Sequence, residues 1–210
     1  MAVRTHAVEP VQARAQATRE LLITAAAELL GEVGVERLST NLVCGRAGVT
    51  PPAFYRYFKD KYAILEELGV RLMAAQNEAI MPLLARPDLA LGEADVRALI
   101  LESIAITAAF PGGPWILRAL RAVPALQHVR LESHRLMSEL IAKAAAQGAK
   151  VSARRRLQAR LLVDMGYAAI ELAFDEGALR PRDIAAEAAA SLSVLLDAAL
   201  NGAAKSRRKR

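Results

Sequence analysis

Side chains that bind a DNA duplex must offer donors to phosphate oxygens and base edges, and must do so from a short, firmly held element. Residues 39–61, STNLVCGRAGVTPPAFYRYFKDK, have the types for that work. Thr40 and Asn41 bring a hydroxyl and an amide to what reads as a helix N-terminus, where the backbone dipole also favours an anion. Thr50 can cap a following helix and also touch phosphate. Pro51, Pro52 and Ala53 have no hydrogen-bonding side chain, so at the major groove they would offer apolar contact to thymine methyl groups. Over residues 37–61, Arg37, Arg46, Arg56, Lys59 and Lys61 stand against Asp60 alone, a local positive charge suited to a polyanion.

The elements that must position these groups are two short helices and a tight turn. Residues 40–47 carry apolar or small side chains at Leu42, Val43 and Ala47, with Ser39 or Thr40 able to cap the start. Gly48 falls where that helix should stop, because glycine accepts the left-handed conformation without a Cβ clash. The spacing predicts a second helix over 51–58, with both prolines in its first turn, where missing N–H groups cost least. Its aromatic residues divide: Phe54 and Phe58 are expected in the core, while Tyr55 can pack or contact DNA. A helix–turn–helix presents such a second helix to the major groove.

The run AGVTPPAFYRYFKDK resembles the signature of the TetR family of bacterial repressors, in which a turn of the AGVS type precedes a helix ending LY-x-YF and a lysine. The corresponding residues here are Ala47-Gly48-Val49-Thr50, Phe54-Tyr55-Arg56-Tyr57-Phe58 and Lys61. Ala26, Ala27, Leu29, Leu30 and Gly34 match the helix upstream, and the specific likeness covers about residues 18–68. Cys44-Gly45 and the two prolines depart from the usual pattern. The resemblance implies that Tyr55, Arg56, Tyr57 and Lys61 contact backbone or bases, with Tyr57 and Lys61 on phosphates and Arg56 on phosphate or base. It further implies a homodimer, a small-molecule pocket among the middle helices, and repression of transcription.

Composition narrows the alternatives. The chain has 210 residues, 54% hydrophobic but only 4% aromatic, so its core must be built from Ala, Leu, Val and Ile, a mixture that favours helices. Net charge is +6, yet the last six residues hold five basic groups. Setting those five aside from the 28 basic residues leaves 23 against 22 acidic ones, so the overall charge is a property of the tail. The single cysteine, Cys44, rules out an intrachain disulfide or a cysteine zinc cage; it reads as a small buried filler, with a redox switch as the other option. His128 and His134 are six residues apart and do not share a helix face as a metal pair would, so neither metal nor cofactor is expected. No G-x-S-x-G, P-loop, G-x-G-x-x-G or H-E-x-x-H motif is present, and an enzyme is not expected. The start of the chain has no continuous apolar core and no run of about 18 apolar residues exists, so a cytoplasmic protein without a membrane span is expected.

In chain order, residues 1–17 read as a flexible arm on which Arg4, His6 and Arg14 could reach phosphate or a minor groove. Residues 18–62 read as the DNA-binding domain, its first helix capped by Thr18 and ended by Gly34. Residues 63–204 read as a helical effector-binding and dimerisation domain, followed by a basic tail at 205–210. Within it, Asp60 caps a long helix bearing Ile64, Leu65, Leu68, Leu72 and Met73, and further helices are expected over about 93–110, 115–123, 124–148, 152–179 and 182–201. The sharpest break is Pro111-Gly112-Gly113-Pro114. The fold expected is all-α, with about nine helices.

Two further sets of residues complete the expectation. Leu161, Met165, Ala169 and Leu172 on the penultimate helix, with Ala188, Leu192, Leu195 and Leu196 on the last, form stripes suited to a four-helix interface between two chains. Phe110, Trp115, His128, His134, Met137, Tyr167 and Phe174 are the candidate lining of an effector pocket. Taken with the resemblance, they imply a regulator released from a palindromic operator by a small apolar effector. The alternative is a helical ligand-binding or adaptor protein that binds DNA only nonspecifically.

Overall fold

The computed structural model describes residues 8–86 and 91–201, with side chains at 12–86 and 91–196. Arg4, His6 and the tail at 205–210 lie outside the described residues. Among the described residues nine α-helices and one 3-10 turn follow one another: α1 (Val8–Arg37), α2 (Thr40–Ala47), α3 (Pro51–Phe54), α4 (Lys61–Leu84), α5 (Glu93–Ala109), α6 (Gly113–Ala122), the 3-10 turn Pro124–Leu126, α7 (Gln127–Ala146), α8 (Ala153–Asp175) and α9 (Pro181–Asn201). There is no strand among the described residues.

The first helix begins at Val8, ten residues before the expected start at Thr18. Residues 8–17, VEPVQARAQA, lack an apolar stripe but are rich in Ala and Gln, which lose little entropy in a helix. Thr18 is therefore no cap. Its hydroxyl donates to the Arg14 carbonyl 3.0 Å away, one turn back within the same helix. At the other end Gly34 breaks the regular helix with φ 72°, as expected of it, and a short extra turn runs on to Arg37.

Asp60 caps α4 as its sequence predicts, its Oδ1 accepting from the Ala63 N–H at 2.9 Å. Ile64, Leu65, Leu68, Leu72 and Met73 are all buried. This helix joins the two parts of the fold: it packs on α1, α5 and α7, with Arg71 bonded to α1, Gln76 to α5 and Asn77 to α7. Four charged side chains brace the α1–α4 contact. Arg71 grips Glu20 with two bonds of 2.7 Å and Glu67 with one of 2.8 Å, and Arg19 reaches Glu67 at 2.8 Å.

The Pro-Gly-Gly-Pro turn sends α6 back across α1 and α4. The helix expected over 124–148 is divided, because Pro124 opens a separate 3-10 turn before α7. The helix expected to reach residue 179 stops at Asp175, and its N-cap is Ser152 as foreseen, accepting from Arg155 N–H at 3.2 Å. Among the described residues no single helix is long and apolar enough to cross a membrane.

Candidate nucleic-acid interface and interior cavity

In α2, Ser39 is the cap. Its hydroxyl accepts from the Leu42 N–H at 3.3 Å, and Gly48 ends the helix in the left-handed conformation with φ 66°. Val43 and Cys44 are buried, so this short helix is held by one face. Burial pushes the Cys44 thiol pKa up, away from the thiolate that a redox switch uses. Leu42, expected to pack, is instead exposed beside Asn41, because the buried face falls on the next two positions.

The next helix is shorter than its pattern suggests. Regular α-helix covers only Pro51–Phe54, and Tyr55 to Tyr57 continue as turns that end with the Phe58 N–H on the Phe54 carbonyl at 3.0 Å. Two prolines fill its first turn. They supply no N–H, and the Ala53 and Phe54 N–H groups both go to the Thr50 carbonyl, at 2.9 and 3.2 Å. Thr50 thus occupies the cap position but its hydroxyl makes no capping bond, since the usual donors are missing or used. That leaves the hydroxyl on an exposed residue free to meet another partner.

Phe54 and Phe58 are buried as expected, their ring centroids 5.7 Å apart. Tyr55 is 57% exposed and touches Phe54 only edge-on, so packing is not its main role. Tyr57 is half-buried against the core. Thr40 and Ala53 are half-buried, while Asn41, Pro51, Pro52, Arg56 and Lys59 are exposed.

The positive charge is thinner than the sequence suggests. Lys61, expected on phosphate, turns its ammonium inward to the carbonyls of Val35 and Leu38, both at 3.1 Å, and Glu36 at 3.5 Å. Val35 and Glu36 lie in the last turn of α1 and Leu38 just beyond it, and an ammonium with three N–H groups suits all three carbonyls. Arg46 is likewise committed, forming a two-pronged pair with Glu32 at 2.8 and 2.9 Å and a longer one with Glu28 at 3.3 Å. Arg37 donates to its own helix. Arg56 and Lys59 are exposed and take no part in these bonds.

The second feature is a cavity of about 100 Å³ between α4, α5, α7, α8 and α9. Ile80, Ile100, Ile141, Leu162 and Leu196 give it apolar walls, and Gln76, Asn77, Ser103 and Tyr167 give polar atoms. Of the expected pocket residues it gathers two, Met137 and Tyr167. His134 lies behind, its ring stacked on Tyr167 at 4.1 Å. Phe110 and Phe174 pack against the core elsewhere, Trp115 lies on α6 over α1, and exposed His128 pairs with Glu66 at 3.2 Å. Large aromatics drew attention in the sequence, but an alanine-rich interior puts its free space beside aliphatic side chains. A readable signal was Gln76, a polar residue one turn after Leu72 on the buried stripe of α4.

His134 is fully buried, with Nδ1 2.6 Å from Asp164 Oδ1, while Arg160 Nε holds the other oxygen at 2.7 Å. Burial drives the imidazole pKa below its ordinary value against the pull of Asp164, so the ring is neutral with its proton on Nδ1. Burial also pushes Tyr167 up to about 12. The sign for stability follows. Below about pH 6.5 the unfolded chain takes up a proton that the native ring refuses, so stability falls as pH falls. Thermal unfolding should show this decline between pH 7.5 and 5.5. His134→Asn, which can keep a donor toward Asp164 but cannot titrate, should flatten it; an unchanged slope would assign the effect elsewhere.

On α8, Leu157, Leu161, Met165 and Leu172 are exposed along one helix. Their expected companions are not all outside: Ala169, Leu192 and Leu196 are buried within the protomer, the two leucines walling the cavity, while Ala188 and Leu195 are half-buried against the core. Helical spacing fixes a face but cannot say which neighbour covers it.

The chain is similar to known proteins in sequence and in fold. Residues 22–68 match the family profile described as bacterial regulatory proteins, tetR family. The chain is 35% identical over 68 residues to the class D tetracycline repressor of Escherichia coli, covering 32% of this chain and 31% of that one. To the class C repressor of Escherichia coli it is 39% identical over 64 residues, 30% and 29% of the two chains. It therefore spans about a third of the length of the curated relatives it matches. Solved structures extend the likeness of fold. A tetR-family regulator from Streptomyces coelicolor superposes with TM-score 0.67 at 17% identity, covering 86% of this chain and 80% of that one. The SmeT–triclosan complex gives 0.61 at 21% identity, covering 84% and 91%.

Proposed function

Since the chain belongs, through its segment 22–68, to the tetR family of bacterial regulatory proteins, we propose that it is a sequence-specific DNA-binding regulator of transcription acting in the cytoplasm. It acts as a repressor and leaves a palindromic operator when a small apolar effector enters the cavity. The observation that carries this reading is the division of residues 40–59 between two faces. Val43, Phe54 and Phe58 lock the segment to the body, while Asn41, Thr50, Pro51, Pro52, Tyr55 and Arg56 are left outside. Thr40, Asn41 and Thr50 would meet phosphate or base edges, the prolines and Ala53 thymine methyls, and Tyr55, Arg56 and Tyr57 the backbone or bases.

The exposed Leu157, Leu161, Met165 and Leu172 favour a twofold dimer, which would set two recognition segments at half-sites roughly 34–36 Å apart. Support for the effector step lies in the cavity's position. Its walls α4 and α5 lead directly to the DNA-binding unit, α4 through the charged brace on α1 and α5 through the turn into α6. Coupling between such sites is usually about 1–3 kcal/mol, a five- to 150-fold change in affinity.

Selection of bound sequences from random duplexes, followed by affinity measurement on two variants, tests the reading. Arg56→Ala should weaken binding about tenfold or more with an unchanged melting temperature. Lys61→Met should act differently. It removes charged hydrogen bonds of about 1.5–3 kcal/mol inside the fold, and so lowers the melting temperature before any DNA is added. Binding without sequence preference would favour the adaptor reading instead.

A further inference from the structure

The polar fittings of the cavity say more about what enters it. Gln76 is 3% exposed and lines the cavity wall. Its Nε2 donates to Thr107 Oγ1 at 2.7 Å, and Thr107 Oγ1 donates in turn to the Ser103 carbonyl at 2.8 Å. A hydroxyl has one proton, so Thr107, having spent it on Ser103, can only accept from Gln76. The orientation of the amide is thereby set by its neighbours. Gln76 Oε1 must point away from Thr107, and it is buried without a hydrogen-bond partner. A buried acceptor left unpaired is costly, and a ligand that brings a donor recovers that cost.

Three other polar groups of the lining are already engaged, the Tyr167 hydroxyl among them through Ser133. Both ends of the Asn77 amide engage Ser133, at 3.0 and 3.3 Å. Asp95, the only charged residue among the described residues of the lining, is held by the Gly92 N–H at 3.0 Å and by Arg86 at 2.9 Å, and that environment keeps its pKa low. Since no Lys, Arg or His among the described residues lines the space, a buried carboxylate or phosphate would find no counter-charge among them. An ammonium would find a carboxylate whose oxygens are both engaged. The remaining surface is aliphatic. A cavity of about 150 Å³ accepts a benzene ring, and this one, near 100 Å³, shares Leu83, Asp95 and Leu99 with an open groove between α4 and α5 into which a short tail can extend.

We infer that the cavity takes an uncharged, mostly apolar molecule of about one ring that carries a single hydrogen-bond donor, and that Gln76 Oε1 accepts from it. The inference rests on the reading of the cavity as the effector site, and it is tested without DNA. Calorimetry on the full chain with 4-propylphenol, 4-propylanisole and 4-propylbenzoate compares a donor, its methyl ether and an anion of one shape. The phenol should bind about tenfold more tightly than the ether, and the benzoate more weakly than either. In Gln76→Leu the preference for phenol over ether should fall to within about twofold. A crystal structure of the wild-type phenol complex, with the ligand oxygen about 2.7–3.0 Å from Gln76 Oε1, checks the contact should that variant fail to fold. Equal binding of phenol and ether, tightest binding of benzoate, or no binding of any of them would overturn the inference. Donor-selective binding that leaves operator affinity unchanged keeps it, and removes the release mechanism instead.

Discussion

Gly113→Ala is expected to lower the melting temperature by about 6–12 °C, corresponding to a loss of about 3 kcal/mol or more. A Cβ built on Gly113 would lie 2.0 Å from the Thr107 carbonyl oxygen and 3.3 Å from the Phe110 Cβ. Both neighbours belong to the end of α5 or the turn that leaves it. The first is backbone, so no rotamer change relieves the overlap, and α6 would have to move away from α5. The adjacent Gly112 is under similar constraint, with φ 69° and a virtual Cβ 2.6 Å from the Ala27 carbonyl of α1. The two glycines let three helices approach at one point. Gly31→Ala is the control, because nothing lies within 4 Å of its Cβ and alanine is the better helix former. It should be neutral or stabilising by up to about 1 kcal/mol. If Gly113→Ala melts no lower than Gly31→Ala, the close approach described here is wrong.

Phe54→Ala should cost about 3–5 kcal/mol, the range for truncating a fully buried aromatic side chain. The reason is geometric as well as hydrophobic. α3 has only four residues and cannot hold itself together, so this ring is its anchor, packed against Phe58 and edge-on to Tyr55. Removing it frees Thr50, Pro51, Pro52 and Arg56 from the positions that the proposed DNA contact needs. Denaturant unfolding should show the loss of stability, and DNA affinity should fall even at temperatures where the rest of the chain stays helical. Phe54→Leu, which keeps most of the volume, should recover much of both. Full operator affinity in Phe54→Ala would mean that the turn before α3, not its anchored helix, sets the geometry.

Part of the fold could be read in advance. Phe54 in the core and Gly48 at a helix end were legible, because burial pattern and the left-handed conformation are local properties. So was α4, from its Asp60 cap through its stripe of large aliphatic residues to Leu84. Lys61 was not. Its partners are carbonyls 23 to 26 residues earlier in the chain, and only the folded path of α1 brings them near. Arg46 was hidden for the same reason, since a cation in a sequence does not announce whether Glu28 and Glu32 will face it. The cavity fell between these cases. Its place among the middle helices followed from the resemblance, but its lining depends on which aliphatic faces fail to meet. The exposed part of the α8 stripe and the buried part of α9 look alike as letters, and separate only when α5 is seen to cover the latter.

Trp115 is the only tryptophan in the chain, and it stands at the junction where α6 meets α1. It is 38% exposed, a side chain at Gly34 would begin 3.5 Å from its ring, and the Arg118 guanidinium lies 5.2 Å from its centre. An indole in that setting is a native optical reporter. Its emission responds to water and to a nearby cation, so a separation of α1 from α6 by even a fraction of a turn would change its colour and intensity. The molecule therefore carries its own label at the contact between its two halves, and the timing of any movement there can be followed by fluorescence with no foreign dye attached.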